Sequence, residues 1–369
     1  MDFTFSEEQE AVRDLAAQIF EGHATTERVK EVERSDERFD RELWRALADA
    51  GLLAIAVPDE HGGSGLGLIE LCLVLEQQGR RVAPVPLWPT LVLGALAIAE
   101  FGTPPQQQVL LPGVARGDVV LTDALSEAGV NDPLHPSVTA TGDGDSFRLD
   151  GTKSSVPAGH IADRVLVPAA TGDSGLGVFL VDPAGPGVER TPATTTDRSK
   201  VAHLSFAGAP AEPLVGDGRR VTTWMLDRAL VGLCAMQVGV AEGALRMAAD
   251  YTSERQQFGR PLSTFQGVAL KAADAYIDTE AMRVTLWQAA WRLTAGLDAT
   301  REVMVAKWWS AAGGQRVVHI TQHLHGGMGA DVDYPVHRYF LWGKQIEDTL
   351  GGASAQLARL GRAVAEAPA

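Results

Sequence analysis

The stretch Gln322–Gly329, which reads Gln-His-Leu-His-Gly-Gly-Met-Gly, contains residues able to contact a ligand through the backbone. It follows a segment with helical periodicity, residues 300–321. A helix that stops at two adjacent glycines, Gly326 and Gly327, exposes backbone that no side chain screens. A flat or phosphorylated ligand can approach such backbone closely. The same pattern also fits a helix C-cap followed by a turn, so the stretch by itself leaves both interpretations open.

The composition restricts the classes of function. A chain of 369 residues with 45% hydrophobic and 21% charged residues is typical of a soluble globular protein of two or three domains. The net charge of −15 argues against a nucleic-acid partner, because no basic stripe is available to neutralise phosphates. The two cysteines, Cys72 and Cys234, lie in apolar helical contexts, which favours buried thiols over a disulfide or a metal site.

Localisation is predicted from two features. The N-terminal residues 1–5 carry neither a basic nor an apolar signal region, so no secretion signal is expected. No run of apolar residues reaches the roughly 18 that a membrane span needs. We therefore expect a cytoplasmic protein without a membrane segment.

Three regions of the chain differ in pattern. Residues 1–117 read as helical, beginning with a capping-box pattern at Ser6 and Gln9. Residues 118–218 are rich in Gly, Pro, Thr and Val, with short alternating stretches between turn signals, which favours a small antiparallel β domain. Residues 219–369 contain long helical segments joined by short breaks. These segments are 221–255, 263–295, 300–321 and 345–364. The predicted fold class is α+β and multidomain: an N-terminal α-helical domain, a middle antiparallel β domain and a C-terminal four-helix bundle.

This order of domains, together with specific motifs, resembles the acyl-CoA dehydrogenase family. The similarity covers nearly the whole chain, and its most specific motifs lie in the C-terminal part. They are Tyr251–Leu262 (Tyr-Thr-Ser-Glu-Arg-Gln-Gln-Phe-Gly-Arg-Pro-Leu) with Phe265-Gln266, His325–Gly329, Tyr334-Pro335 and Arg338-Tyr339-Phe340. The resemblance implies an FAD-dependent enzyme that desaturates a CoA thioester between its α and β carbons.

In that family, the R-x-x-F-G and G-G-x-G motifs hold the adenosine and pyrophosphate of an FAD seated mainly in a neighbouring subunit. The resemblance therefore implies that Arg255 offers its planar charged fork to a pyrophosphate oxygen. Phe258 would pack on an aromatic or ribose face, and Gln266 would hydrogen-bond the nucleotide.

The glycine-rich motif supplies the remaining implied contacts. Gly326 and Gly327 would let their backbone approach the cofactor. The family usually has Gln three residues before the first of these glycines, whereas this chain has His323. Because an imidazole can still donate one hydrogen bond, His323 is kept as a cofactor contact.

The family's catalytic base is absent from both positions where its members carry it. The reaction needs a carboxylate to remove the α proton, and losing a positioned base typically removes about 10²- to 10⁴-fold of the rate. The first of these positions corresponds to Leu350, and the alternative position in the first bundle helix corresponds to Ala229. Neither side chain can accept a proton, so no catalytic residue is predicted in this chain.

The segments that cradle the flavin in the family also differ here. Residues 124–131 replace a Thr-Glu-Pro segment and the Ala-Gly-Ser-Asp that follows it. In the second segment, residues 153–158, Ser155 stands where the family has Trp. A serine provides no ring beside the isoalloxazine, and Pro157 removes a backbone N–H donor.

Features that would serve this chain's own flavin are thus missing, while features that reach a neighbour's site remain. This pattern resembles the non-catalytic subunits of actinobacterial α2β2 acyl-CoA dehydrogenases that act on steroid side chains. The resemblance implies a homologous catalytic subunit as partner, a steroid side-chain acyl-CoA as substrate, a shared FAD and an electron-transfer flavoprotein as electron acceptor.

Two alternatives stay open at this point. The chain could be a self-sufficient homomeric enzyme with a displaced base, for which Glu347 and Asp348 are the candidates because they lie within three residues of Leu350. Those two carboxylates also fit an exposed helix face. Alternatively, the chain could be a flavin-free structural or binding protein with the same fold.

Overall fold

The computed structural model describes residues 4–129, 132–144, 146–172 and 175–366. Val130 and Asn131, which belong to the first altered cradle segment, lie outside the described residues. Helices precede and follow a β region, which is the predicted order of an acyl-CoA dehydrogenase fold. The helices are α1 (Glu7–His23), α2 (Thr26–Arg34), α3 (Arg41–Asp49), α4 (Leu68–Arg81), α5 (Leu96–Phe101), α6 (Pro104–Ala115), α7 (Gly218–Glu254), α8 (Gln266–Thr294), α9 (Thr300–Leu324), α10 (Val336–Asp348) and α11 (Ala353–Ala365).

Short helices of other types complete the helical regions. A buried π-helix, Trp88–Ala95, leads directly into α5. The 3₁₀ turns are Asp59–His61, Leu262–Thr264 and Gly326–Ala330. At the start of α1, the Ser6 side chain accepts from the Gln9 N–H at 3.2 Å and Gln9 accepts from the Ser6 N–H at 3.0 Å. The predicted capping box is therefore present, and it satisfies two N–H groups near the start of the helix.

The C-terminal helix predicted over residues 345–364 is wrong as a single helix. The structure has α10 and α11 there, separated by a loop of residues 349–352. Leu350 and Gly351 adopt positive φ angles of 58° and 99°. Left-handed backbone cannot continue a right-handed helix, and two adjacent glycines favour the break.

The expectation that no segment is long and apolar enough to cross a membrane also needs correction. Helix α7 passes that test by length and composition, with a mean hydropathy of 1.3 over its most apolar window. However, 78% of that window is buried inside the protein, as in the core helix of a soluble protein. No unbroken apolar run marks this helix in the sequence because Gln237, Glu242 and Arg246 interrupt it.

The β region forms a sheet of seven described strands. They are β1 (Leu121–Asp123), β2 (Thr139–Asp143), β3 (Ser146–Pro157), β4 (Arg164–Thr171), β5 (Gly175–Val181), β6 (Val188–Thr194) and β7 (Lys200–Pro213). Five of them close into a ring, β4-β2-β3-β7-β5, because β5 also pairs with β4. Strand β1 extends this ring beside β4, and β6 extends it beside β7.

The pairing is mostly antiparallel, as predicted. Strands β1 and β2 are the exceptions among the described pairs, since each runs parallel to β4. Inward-facing apolar side chains fill the core of this sheet, among them Val138, Leu149, Val165, Phe179 and Leu204. The alternation of small apolar and polar residues along these strands is the pattern from which the β domain was predicted.

The chain folds into two compact units. The helical unit contains the described residues of Met1–Lys30, Cys72–Ala83 and Leu230–Ala369, and the sheet unit contains those of Glu31–Leu71 and Pro84–Ala229. Helices α2, α4 and α7 therefore contribute residues to both units. The division into three domains at residues 117 and 218 stays a prediction.

Candidate functional site

The R-x-x-F-G motif forms a small hairpin after α7. Strand β8 (Gln256–Gln257) pairs with β9 (Arg260–Pro261), so Phe258 and Gly259 form the two-residue turn. Their φ angles are 54° and 74°, the combination that a type I′ turn requires. For a residue with a Cβ atom this conformation costs about 1–2 kcal/mol. The Phe258 side chain is nevertheless 92% exposed, so its ring contributes little to the core of this chain.

Arg255 and Gln266 lie on either side of this hairpin. Arg255 follows the last residue of α7, and its carbonyl accepts from the Leu262 N–H at 2.8 Å, which holds the base of the hairpin. The exposed guanidinium makes no hydrogen bond or ion pair with any described residue. Gln266 is the exposed first residue of α8. Both polar side chains are therefore free to bind a group outside this chain.

The Gly-Gly motif follows α9 in a 3₁₀ turn. Gly326 has a φ of 57°, and a Cβ atom added at Gly326 or Gly327 would meet no other atom within 4 Å. The turn is closed by the Gln322 side chain, which donates to the Gly329 carbonyl at 3.0 Å. His323 is exposed in the last turn of α9. Both glycines thus present open backbone, as predicted.

Aromatic packing brings the two motifs together. The imidazole of His325, beside Gly326, stacks on the ring of Tyr251 with centroids 4.7 Å apart. Tyr334 packs against both rings, at 6.3 Å from Tyr251 and 5.2 Å from His325. Burial lowers the pKa of His325, and its Nδ1 lies 2.7 Å from the Thr321 carbonyl.

These aromatic residues belong to the family motifs, but their packing was not predicted. Their separation in the sequence gives no sign that the rings touch. We call Arg255–Arg260, Gln266, His323, Gly326 and Gly327 the outward region, because all of them are exposed.

Leu350, at the first position predicted for the base, lies in the loop between α10 and α11. Its carbonyl accepts from the side chains of Gln356 at 3.1 Å and Arg359 at 3.3 Å. Gln356 also donates to the Gly351 carbonyl at 3.0 Å. The positive φ angles of this loop are therefore held by hydrogen bonds within the chain.

A buried lysine contacts the end of α10, directly before this loop. Lys307 of α9 is fully buried, and its Nζ donates to the carbonyls of Ile346 at 2.6 Å and Glu347 at 3.0 Å, at the end of α10. Burial lowers the pKa of Lys307 to about 8. Its positive charge is placed where the helix leaves carbonyl groups unpaired. No sequence signal distinguished this lysine from a surface lysine.

The candidates for a displaced base have different surroundings. The carboxylate of Glu347 accepts from Lys344 Nζ at 2.6 Å. Asp348 is exposed at the last position of α10. At the second predicted base position, Ala229 is fully buried, and its carbonyl accepts from the indole N–H of Trp88 at 3.0 Å.

The altered cradle segments of the sheet unit meet through a buried ion pair. Lys153 donates to Glu127 at 2.6 Å, and both side chains are almost completely buried. The same carboxylate accepts from the N–H and hydroxyl of Ser137. Burial would raise the pKa of Glu127, but Lys153 and Ser137 hold it below its usual range. Sequence analysis missed this pair because the two residues belong to different strands and loops.

Other residues of the cradle contact the chain itself. Ser155 is exposed with a φ of 52°, and its N–H donates to His203 at 3.2 Å. The Pro157 carbonyl accepts from the Thr122 hydroxyl at 2.7 Å. Burial raises the pKa of the nearby Asp123 carboxyl to about 8. The segment presents no aromatic side chain at Ser155, so its residues do not fit the face of an isoalloxazine ring as the family's tryptophan does.

Comparison with known proteins identifies the family. The N-terminal domain of acyl-CoA dehydrogenases matches residues 6–118, and their C-terminal domain matches residues 216–365. The acyl-CoA dehydrogenase FadE27 of Mycobacterium tuberculosis is 43% identical over 100% of both chains. One chain of the ChsE4-ChsE5 complex from Mycobacterium tuberculosis superimposes with a TM-score of 0.94, at 44% identity over 100% of both chains.

A second solved structure is equally similar in fold. It is a variant of the Tcur3481-Tcur3483 steroid ACAD, with a TM-score of 0.94 and 53% identity over 98% of both chains. The chain belongs to the acyl-CoA dehydrogenase family, whose members are FAD-dependent flavoproteins.

Proposed function

We propose that this chain is a subunit of a heteromeric acyl-CoA dehydrogenase and lacks a catalytic base of its own. It contributes contacts to the adenosine and pyrophosphate of an FAD held mainly by a homologous catalytic subunit, in an α2β2 assembly. The substrate is a CoA thioester that carries a steroid side chain, and the reaction is its α,β-desaturation. The steroid substrate is supported by the Tcur3481-Tcur3483 relative, which is a steroid ACAD.

The proposal depends most on one observation, the exposure of Phe258. Phe258 is 92% exposed at the tip of a turn with positive φ angles, which adds backbone strain. Among the described residues its ring meets one other ring, that of Phe265 at 6.2 Å. Such strain persists where it serves binding. In the assembly, the ring packs against the cofactor or the partner, and Arg255 binds a pyrophosphate oxygen.

The residues of this chain fit one end of FAD better than the other. The outward region offers a free guanidinium at Arg255 and open backbone at Gly326 and Gly327, which suit a phosphate group. The cradle segments lack an aromatic face at Ser155. When bound, the flavin supplies the acceptor for the substrate's hydride. This chain holds the adenosine and pyrophosphate end of the cofactor.

Helix α8 supports an assembly with a homologous chain. Four large apolar residues, each seven positions apart, are exposed along it: Leu270, Ile277, Val284 and Trp291. A seven-residue spacing places these side chains on one stripe of the helix, as in helices that pack against a partner helix. An exposed stripe of this kind marks an interaction surface.

Two further parts of the proposal concern the electron acceptor and the location of the complex. The electron acceptor is an electron-transfer flavoprotein, and the complex works in the cytoplasm. In the complex this chain binds and orients the cofactor, while proton abstraction is left to the catalytic subunit.

The outward region is tested with Arg255→Ala in the co-purified heteromer. The variant removes a charge-assisted hydrogen bond worth about 1.5–3 kcal/mol, so FAD should dissociate roughly ten- to a hundredfold more readily. Arg246→Ala is the matched control, because Arg246 is an exposed arginine of α7 paired with Asp250. Unchanged flavin occupancy in Arg255→Ala would remove Arg255 from the site.

A further inference from the structure

The stack of Tyr251 and His325 joins the two parts of the outward region. Tyr251 lies in the last turn of α7, four positions before Arg255, and His325 immediately precedes Gly326. The two rings are nearly parallel, inclined by 27° with centroids 4.7 Å apart. The stack therefore connects the segment that carries the free guanidinium to the segment that carries the open glycine backbone.

His325 is held in place by contacts on three sides. Its ring is only 2% exposed, and Nδ1 carries the ring hydrogen because the Thr321 carbonyl, 2.7 Å away, can only accept. Tyr251 stacks on the imidazole from α7. Tyr334, from the loop before α10, packs against it at an angle of 54°. Together these contacts fix the imidazole, and with it the backbone of Gly326, relative to α7.

The imidazole of His325 is buried in its neutral form. Its Nε2 has no hydrogen-bond partner among the described residues, and none of their carboxylates pairs with the ring. Burial lowers the pKa of His325, although the backbone groups of Thr321 and Met247 oppose this shift. A proton on Nε2 would therefore add a charge at a position that favours the uncharged ring.

The groups that face His325 from the neighbouring elements stabilise a charged ring only weakly. They include the phenol rings of Tyr251 and Tyr334. Asp250 and Glu254 of α7 act on Tyr334, but neither forms an ion pair with His325. The attraction of a cation to a phenol ring is smaller than the cost of burying an unpaired charge. Protonation should therefore loosen the stack.

We propose that Tyr251 and His325 are positioning residues for the cofactor. Their stacking sets the spacing between the Arg255 guanidinium and the open backbone of the Gly-Gly motif, so that both can bind one pyrophosphate. The neutral imidazole is the form that holds this spacing. His325 acts through the backbone that follows it, since its own ring is buried. This inference rests on the proposed function, because it requires that the outward region binds FAD.

A double-mutant cycle tests the stacking. The dissociation constant of FAD is measured by fluorescence titration of the deflavinated heteromer with His325→Ala, Tyr251→Ala or both. An aromatic pair contributes roughly two- to tenfold to an equilibrium constant, so each single variant should weaken FAD binding by about that factor. The double variant should bind no more weakly than the weaker single variant, since either change breaks the stack. His325→Phe, which keeps a ring at this position, should bind FAD as the wild type does at neutral pH.

Phe5→Ala is the matched control for a loss of stability. Phe5 forms another aromatic pair of the helical unit, with Trp287 at 4.9 Å, and neither residue belongs to the outward region. Thermal unfolding of each heteromer measures the loss of stability. Phe5→Ala should lower the unfolding temperature and leave the dissociation constant of FAD unchanged. Equal weakening of FAD binding in Phe5→Ala would mean that Tyr251 and His325 act only through stability, and the inference would fail.

The pH profile of FAD binding tests the requirement for a neutral imidazole. Between about pH 7.5 and pH 5.5 the wild type should bind FAD more weakly as the pH falls, because a protonated His325 must lose its proton before it stacks. This dependence should be smaller in His325→Phe. It should persist in the control His319→Phe, because His319 is an exposed histidine of α9. Equal pH dependence in the wild type and His325→Phe would overturn the role of His325.

Arg255→Ala separates this inference from the proposed function. If Arg255→Ala weakens FAD binding but the alanine variants of Tyr251 and His325 do not, the outward region binds the cofactor and the stack has no positioning role. If none of the three variants weakens FAD binding, the proposed function fails as well.

Discussion

Two segments after helices contain residues in the left-handed conformation, and their surroundings differ. After α7, Phe258 and Gly259 have φ angles of 54° and 74° at the tip of an exposed hairpin. After α10, Leu350 and Gly351 have φ angles of 58° and 99°. The α10 loop is held by Gln356, which donates to both of its carbonyls.

This difference in surroundings indicates different roles for the loop after α10 and the hairpin after α7. Strain in the α10 loop is offset by hydrogen bonds within the chain, so the loop is a structural element of this subunit. The Phe258 ring meets Phe265 at 6.2 Å but otherwise points to solvent. The proposed function requires that contacts outside the chain offset its strain. Variants after α10 should therefore change stability alone, and variants after α7 should change flavin binding.

The largest effect on the free energy of unfolding is expected at Lys307, which donates to carbonyls at the end of α10. Its pKa is about 8 when folded, against about 10.4 when unfolded. Between these values the unfolded chain binds a proton that the folded chain does not, so the free energy of unfolding rises with pH, by about 3 kcal/mol in total. Urea unfolding from pH 7.5 to 10.5 measures this rise.

The Lys307→Met variant should lose that pH-dependent rise while flavin occupancy of the heteromer stays the same. Lys271→Met is the control, because Lys271 is an exposed lysine of α8. A rise of equal size in Lys307→Met would show that another group titrates. A loss of flavin would contradict the separation of the two regions.

An effect of intermediate size, a stabilisation of the chain, is expected from a substitution at Phe258. Asn-Gly is a favoured pair for a type I′ turn, so Phe258→Asn should stabilise the chain by about 1 kcal/mol. The same variant should weaken FAD binding in the heteromer, since the ring is lost. Thermal unfolding and flavin occupancy measure the two effects. A destabilised variant would show that the ring serves this chain's own fold.

The smallest effect on stability is expected at Gly327. A Cβ atom there meets nothing within 4 Å, so Gly327→Ala should change the free energy of unfolding by less than about 0.5 kcal/mol. In the heteromer the added methyl group should lower flavin occupancy. Gly361→Ala is the matched control, because Gly361 of α11 has equally open surroundings. Unchanged flavin occupancy would mean that no cofactor approaches this backbone.

The fold was predictable because its signals are local or periodic. The capping box at Ser6 and the alternation along the strands follow from neighbouring residues. The division between α10 and α11 was missed, although Gly351 and Gly352 mark it. Helical periodicity on both sides hid the four-residue interruption at residues 349–352.

The buried polar contacts could not be predicted. Lys307 reaches carbonyls about 40 positions away, and Lys153 pairs with Glu127 across 26 positions. Such pairs depend on how strands and helices come together, which composition and spacing do not specify. The candidate cofactor residues were found through the family motifs, and the stacking of Tyr251 on His325 became visible only in the structure.

The central claim is that this chain needs a partner to form a working flavin site. It is tested most directly by expressing the chain alone and together with a homologue that carries Glu at the position of Leu350. Flavin per chain is measured from its visible absorption band, and turnover is measured with an acyl-CoA. We predict neither flavin nor turnover for the chain alone, and both for the heteromer. Bound flavin together with turnover by the chain alone would contradict the account.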